Sequence, residues 1–125
     1  MAGTITYRSF FHLANLGNLA PLNKEFTISV DEYNHVVSEL AKETSEAIAL
    51  GPVSTVQGLL IQLTSGGTTM ADGLAIDLEA STYATPHLVL FQGQQVFINT
   101  NISILSVRNL HASNAVTYEY VLLGT

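Results

Sequence analysis

Short segments in which apolar and polar residues alternate constrain the fold of this chain more than any other feature. In residues 3–12, Ile5, Tyr7 and Phe11 share one parity, and Thr4 lies on the other. A repeat of two is typical of a half-buried β-strand, and turn residues separate the segments. Comparable segments lie at about residues 24–30, 56–64, 74–78, 88–91, 95–99, 102–109 and 115–123.

About eight to ten such strands predict an all-β fold of the sandwich or barrel type. The chain has 125 residues, which suits one domain spanning residues 1–125. We therefore expect a single antiparallel β-sandwich with a jelly-roll-like course. Residues 13–23 are predicted to be a loop, and Asp77 is expected to face outward while Leu74, Ile76 and Leu78 face the core.

Residues 31–49 allow two interpretations. Tyr33, Val36, Val37 and Leu40 occur at helical spacing. Read as β-structure, the same stretch forms a strand, a polar turn and a second strand. We favour strands because the flanking segments are all β, with room for one short helical turn near residues 31–49.

The chain carries few charges for its size. Only 11% of its residues are charged, against about 25% in an average domain, and 47% are hydrophobic. Because freely soluble monomers usually carry more surface charge, we expect neighbouring subunits to cover part of this surface. The alternative is a monomer with a neutral surface rich in Thr and Ser.

The positive charges are too few to form an interface for nucleic acid. Arg8, Lys24, Lys42 and Arg108 are scattered along a chain of net charge −6. Phosphate neutralisation needs a clustered basic surface, so we predict neither nucleic-acid binding nor attachment to an anionic membrane. Cysteine is absent and no targeting segment is evident, which favours synthesis in a reducing cytoplasm.

Candidate metal ligands are present but not grouped. The acidic patch of Asp72, Asp77 and Glu79 is explained by a turn at Asp72 and an outward strand face for the other two. The histidines lack the close pairing that zinc ligands usually show. They lie on four separate segments, at His12, His35, His87 and His111. We predict no metal and no cofactor.

Motifs for catalysis are equally hard to find. The sequence contains no Gly-x-Ser-x-Gly elbow, no Walker loop and no dinucleotide-binding glycine turn. The inward parities of the predicted strands are almost purely apolar. We therefore predict that the protein is not an enzyme and works through contacts with other proteins.

Four residues are candidates for such contacts. Phe10 lies on the outward parity of the first strand beside Phe11 and His12, and Tyr83 lies in a predicted loop. Residues 1–12 are the expected contact segment, since two phenylalanines would anchor it on a neighbour. The alternative is that the first strand is buried on both faces.

The second two-thirds of the chain resembles a known group of proteins. The pattern begins with EAIALGPV at 46–53, which leads into GLLIQL at 58–63, and continues with LVLFQG at 88–93 and YEYVLLG at 118–124. This order of strands and turns resembles small virion proteins of tailed bacteriophages. These are the jelly-roll or β-sandwich decoration (cement) proteins and related head or tail components.

The resemblance implies a non-enzymatic capsid decoration protein, made in the host cytoplasm and placed on the outer capsid surface. Such a protein forms dimers or trimers with itself and contacts the major capsid protein or other virion proteins. A tail or spike subunit is one alternative. A carbohydrate-binding or lectin-like receptor-binding module is another, and an enzyme on a jelly-roll scaffold comes last.

Overall fold

The computed structural model describes residues 3–9, 12–13, 17–18, 24–98 and 105–125. Within these residues the fold is all-β, every strand pair is antiparallel, and no helix is long and apolar enough to cross a membrane. The strands are β1 (Gly3–Ser9), β2 (His12–Leu13), β3 (Gly17–Asn18), β4 (Lys24–Val30), β5 (Glu32–Leu40), β6 (Ser45–Ala47), β7 (Val56–Ser65), β8 (Leu74–Asp77), β9 (Leu88–Leu90), β10 (Gln95–Ile98), β11 (Ser106–Asn109) and β12 (Val116–Gly124).

Two four-stranded sheets make up most of the molecule. Sheet I has the strand order β10-β7-β12-β5, and sheet II has the order β6-β11-β8-β9. The long strand β12 lies between β5 and β7 and pairs with both along its length. This central position explains why the C-terminal segment alternates so regularly.

The two sheets bury one shared core. Along β7 and β12 every second side chain points at sheet II. Side chains from β8 and β11 of sheet II pack against them. Burial of each large apolar side chain contributes about 1.5–3 kcal/mol. The central members are at most 2% exposed: Leu59, Ile61, Leu63, Leu74, Ile76, Val107, Tyr118, Tyr120 and Leu122. This packing is consistent with a β-sandwich.

A separate hairpin-like pair lies outside the sandwich. Strands β1 and β4 pair from Gly3 opposite Val30 to Ser9 opposite Lys24. Ile28 and Val30 form a second, smaller core with Leu123 of β12, on the outer face of sheet I. The N-terminal pair is therefore a third layer over part of one sheet.

The structure decides the ambiguous stretch in favour of strands. Residues 31–49 form β5, a turn and β6, and contain no helical turn, so that part of the prediction was wrong. Strand β5 pairs with β12 residue by residue from Glu32 to Leu40. This pairing satisfies the backbone hydrogen-bonding groups along one edge of β5. It places Val36 and Leu40 at the core and Tyr33 and Val37 on the opposite face.

Two local expectations also need correction. The predicted loop 13–23 contains β3, and His12–Leu13 pairs with Gly17–Asn18 to form a small sheet. The expected outward position of Asp77 is wrong, because this side chain is buried. Strand β8 lies inside sheet II, and the chain that follows it covers its outer face.

Candidate interaction surface

The outer face of sheet I carries apolar side chains on each of its four strands. Phe97, Leu60, Val121 and His35 are register neighbours on β10, β7, β12 and β5. Leu123 lies in the next row, between Gly58 and Tyr33. Because this face points away from the shared core, some other element must cover it or it stays in contact with water.

The pair β1–β4 covers only one side of this face. Tyr7 stacks on Phe97, with ring centroids 4.4 Å apart and planes inclined by 15°. A Cβ at Gly58 would lie 3.3 Å from both Ile28 Cδ1 and Phe97 Cζ, so the glycine permits the close approach of the third layer. Between the described residues of the third layer and sheet I, these contacts are apolar and aromatic.

A groove remains where the third layer meets the sheet. Its volume is about 240 Å³, and Ile5 and Tyr7 line it from one side while Leu60, Val121 and Leu123 line it from the other. Ile5 is 37% exposed at its rim. The third layer therefore leaves part of the apolar row on β7 and β12 accessible.

The exposed apolar area continues onto β5. Tyr33 is 51% exposed and Val37 is 60% exposed, in the rows of Leu123 and Glu119. Single exposed apolar side chains are common, whereas a group of them marks a contact surface. Tyr33 adjoins Leu123, and Val37 lies farther along β5, beyond His35 and opposite Glu119. We call the set Ile5, Tyr33, Val37, Leu60 and Val121 the apolar face.

One polar pair lies within this surface. His35 Nε2 is 2.8 Å from Glu119 Oε1, and the two side chains are 50% and 33% exposed. The pair joins β5 to β12 across the face. It places a hydrogen-bonded polar pair among the apolar side chains of this face, where a partner could approach it.

The densest group of ionisable side chains lies elsewhere, behind sheet II. The Asp77 carboxylate accepts hydrogen bonds from the backbone N–H groups of Glu79, Ala84 and Thr85 at 2.9–3.0 Å. These three donors, Thr85 foremost, lower the pKa of Asp77 to about 2. Asp77 therefore holds residues 78–87 against the sheet as a buried structural anion.

His87 does not turn this group into a catalytic dyad. Its Nδ1 accepts the N–H of Leu78 at 3.1 Å, so the proton of the neutral ring is on Nε2. The 3.5 Å between His87 Nδ1 and Asp77 Oδ1 consequently lacks a shared proton in that state. Both residues are engaged with backbone amides of the same segment.

A second polar group lies at the edge of the shared core. The Tyr118 hydroxyl and the Ser38 hydroxyl both donate to Glu46 Oε1. Burial raises the pKa of Tyr118, and the carboxylate adds to the shift. The Tyr120 hydroxyl donates to the Ala49 carbonyl at 3.3 Å, so these buried hydroxyls tie β6 and its following loop to sheet I.

The described residues contain no group of three or more His, Asp or Glu side chains arranged to hold a metal ion. Asn109 is fully buried and donates to the carbonyls of Leu40 and Asn114. His111 Nδ1 accepts from the N–H groups of Ser113 and Asn114. These polar side chains organise turns.

The four predicted contact residues lie in different parts of the chain. Phe10 and Phe11 are outside the described residues, and His12 is in the short strand β2. Tyr83 is half-buried in the segment held by Asp77, and burial raises its pKa while the Arg108 charge lowers it. The structure does not bring Tyr83 to the apolar face, and the contact roles of the four stay predictions.

Sequence reasoning missed the apolar face itself. Tyr33 and Val37 were grouped with Val36 and Leu40 because all four fit a helical repeat. Read as a strand, the same residues separate into two parities, which is a signal for two apolar faces. Which parity meets the core depends on the pairing of β5 with β12, and this pairing joins residues far apart in the chain.

Comparisons with known proteins identify no relative of this chain. No family model matches the chain, and no curated protein and no solved structure matches it. Any functional conclusion must therefore come from the residues and their arrangement.

Proposed function

We propose that this protein is a non-enzymatic structural subunit of a virion, most specifically a capsid decoration (cement) protein that stabilises a shell through protein–protein contacts. The observation that carries the proposal is the apolar face on sheet I. Apolar side chains from the third layer and from three strands of the sheet remain partly open to water there. A partner surface would remove this area from water, at a gain of about 25 cal/mol per Å².

The roles of the described polar groups agree with an assembly function. Asp77 binds backbone amides, Glu46 binds two hydroxyls, and Asn109 binds two carbonyls. Each group holds a loop or joins two strands. Their hydrogen-bonding groups are used within the fold, which suits a protein that acts through contacts of its outer surface.

The virion assignment rests on the strand and turn pattern described in the sequence. Two four-stranded sheets give the eight principal strands that a jelly roll requires, and we propose the jelly-roll course as the finer description of the fold. A net charge of −6 suits the outside of a particle better than an interior filled with DNA. Contacts to the major capsid protein and to other copies of this chain follow from the same proposal.

The size of the contact need not be large. A standard interface buries about 1,600 Å² in total, and many copies on one shell multiply a modest affinity. The apolar face, enlarged by the polar residues at its rim, is the surface that we assign to this contact.

Immunogold electron microscopy of intact particles tests the assignment. An antibody against this protein should label the capsid exterior, and particles without the protein should lose their shells at a lower temperature. Label on the tail or spike would replace decoration by the tail alternative. Particles without any label would overturn the virion proposal, and glycan binding abolished by Tyr83→Ala would support the lectin-like alternative.

Two substitutions test the surface. Val37→Lys and Tyr33→Lys place a charge on the apolar face and should release the protein from particles, while Met70→Lys serves as the matched control. Met70 is also an exposed apolar residue, at 64%, but lies between β7 and β8. Equal particle binding by all three variants would show that the apolar face is not the contact.

A further inference from the structure

The four outer strands of the two sheets differ greatly in length. The edges are β10 and β5 in sheet I, and β6 and β9 in sheet II. Strands β6 and β9 have three residues and β10 has four, whereas β5 has nine. Short edges are one way in which proteins prevent unwanted strand pairing, and β5 does not use it.

Strand β5 also lacks several other common protections of an edge. Its sequence, EYNHVVSEL, contains no Lys, Pro or Gly. Its pairing with β12 runs from Glu32 to Leu40 without a register shift, so no bulge bends it away. Among the described residues, no strand pairs with its outer edge. This edge offers backbone donors and acceptors along roughly 30 Å.

We propose that β5 pairs antiparallel with β5 of a second copy of this chain, about a two-fold axis at Val37. The axis is perpendicular to the sheet, so the two sheets I join into one eight-stranded sheet. Their apolar faces then lie side by side on the same surface. The inference rests on the assembly function proposed above and names the partner and the strand.

The side chains of β5 complement themselves in this register. Val37, 60% exposed, meets its own copy at the axis. His35 then lies opposite Glu39 on both sides of the axis, and Tyr33 lies opposite Ala41. Apolar side chains directly across a strand pair are favourable, and His35 and Glu39 form a polar pair. The self-pairing therefore combines an apolar centre with one polar pair on each side of the axis.

The neighbouring registers are less suitable. An axis at His35 places Asp31 opposite Glu39 twice, and like charges across strands are destabilising. An axis at Val36 places Glu39 opposite Tyr33 and His35 opposite Val37, so both exposed apolar side chains lose an apolar partner. Moving the axis by one residue shifts the pairing by two residues and keeps both apolar faces on the same surface. A shift of the pairing by a single residue would place the two apolar faces on opposite surfaces.

A single-cysteine experiment tests the axis directly, since the chain has no cysteine. In Val37→Cys the two thiols face each other across the axis, with Cα atoms about 4.5–5.5 Å apart, a separation that a disulfide spans. In Tyr33→Cys, the matched control on the same strand and face, the two thiols lie about 27 Å apart. Val37→Cys should form covalent dimers on mild oxidation at least ~10-fold faster than Tyr33→Cys.

A reversible measurement keeps the test independent of thiol chemistry. Sedimentation equilibrium of the unmodified protein should show a dimer, and Glu39→Lys should weaken it by about 3–10-fold because the polar pair with His35 on each side of the axis is lost. Because residue 39 is exposed, circular dichroism should show the same fold for the variant. A monomeric wild type, equal cross-linking at positions 33 and 37, or an unchanged dimer in Glu39→Lys would each overturn the β5 pairing.

The outcomes separate the two proposals. Capsid labelling together with absent cross-linking at position 37 would reject the β5 dimer and leave the decoration function standing. Efficient cross-linking at position 37 without any label on particles would do the reverse.

Discussion

The outer faces of the two sheets are covered in opposite ways. Behind sheet II, the segment that follows β8 folds back and is held by three hydrogen bonds to Asp77, so that Ala75 and Ser106 are fully buried. In front of sheet I, the pair β1–β4 packs through apolar contacts and leaves Ile5 and Val37 exposed. The face of sheet II is covered at β8 and β11 by a segment held through directional hydrogen bonds, whereas sheet I is partly covered through apolar packing.

The difference indicates which face is available to a partner. Hydrogen bonds to a buried carboxylate position a loop in one arrangement, since moving it would leave an anion without donors. Apolar packing is non-directional, so the third layer can shift or be extended by another surface. The predictions below test this contrast, from the largest expected effect to the smallest.

Adjacent leucines of β12 should differ most clearly. Leu122 points into the shared core and is fully buried, whereas Leu123 points under the third layer beside the groove. We expect Leu122→Ala to lower the free energy of unfolding by about 3–5 kcal/mol and Leu123→Ala by about 2 kcal/mol, because the outer site can collapse more easily. Urea unfolding measures both, and an equal loss would show that the third layer is packed as rigidly as the core.

The anion behind sheet II should make stability depend on pH. A carboxyl group whose pKa is about 2 in the fold, against 3.8 ordinarily, stabilises the protein fully above about pH 4, and this contribution disappears as the pH falls toward 2. Asp77→Asn should therefore reduce the melting temperature at pH 6 and flatten its decline between pH 4 and 2.

Glu79→Gln is the matched control for that experiment, since the Glu79 side chain is 82% exposed. Thermal scans of the three proteins across this range provide the comparison. If Asp77→Asn melts like the wild type at pH 6, the segment 78–87 is held by other contacts, and the contrast between the two faces fails.

The glycine under the third layer provides a way to lift it. At Gly58 a Cβ would be 3.3 Å from flexible side-chain ends, so Gly58→Ala should be tolerated, while Gly58→Leu should cost about 1–3 kcal/mol by overpacking. The larger side chain should also loosen Tyr7 from Phe97. Near-ultraviolet circular dichroism and faster hydrogen exchange confined to β1 and β4 would report this, whereas exchange in β8 should not change.

Much of the fold could be predicted because strand alternation is a local property. Residues 56–64 and 115–123 were predicted as strands, and β7 and β12 occupy those positions. Alternation also led to the one wrong side-chain assignment. Asp77 has the outward parity, but the segment that follows β8 folds back over this side of the strand and buries the carboxylate. Nothing near Asp77 in the sequence indicates that the backbone amides of Ala84 and Thr85 will bind it.

The candidate surface was harder to predict for the same physical reason. The register of β5 with β12 determines that Tyr33 and Val37 leave the core, and it joins residues 76 to 92 positions apart. The low charge of the chain indicated that part of its surface is covered, but composition does not show which residues form that part. The edge status of β5 follows from the strand order of sheet I, which no local pattern contains.

The smallest effect should come from the ion pair of the third layer. Arg8 Nε lies 2.6 Å from Glu25 Oε2, but the two side chains are 74% and 53% exposed. Exposed pairs typically contribute about 0.2–1 kcal/mol, so Arg8→Gln should change the free energy of unfolding by no more than ~0.5 kcal/mol. Tyr7→Ser, one position earlier on the same strand, should cost more, because it removes the stacking on Phe97. Urea unfolding of the two variants at low and high salt compares the contributions. A larger loss in Arg8→Gln, abolished by salt, would mean that charge rather than apolar packing attaches the third layer, and the two outer faces would then both be held by directional polar contacts.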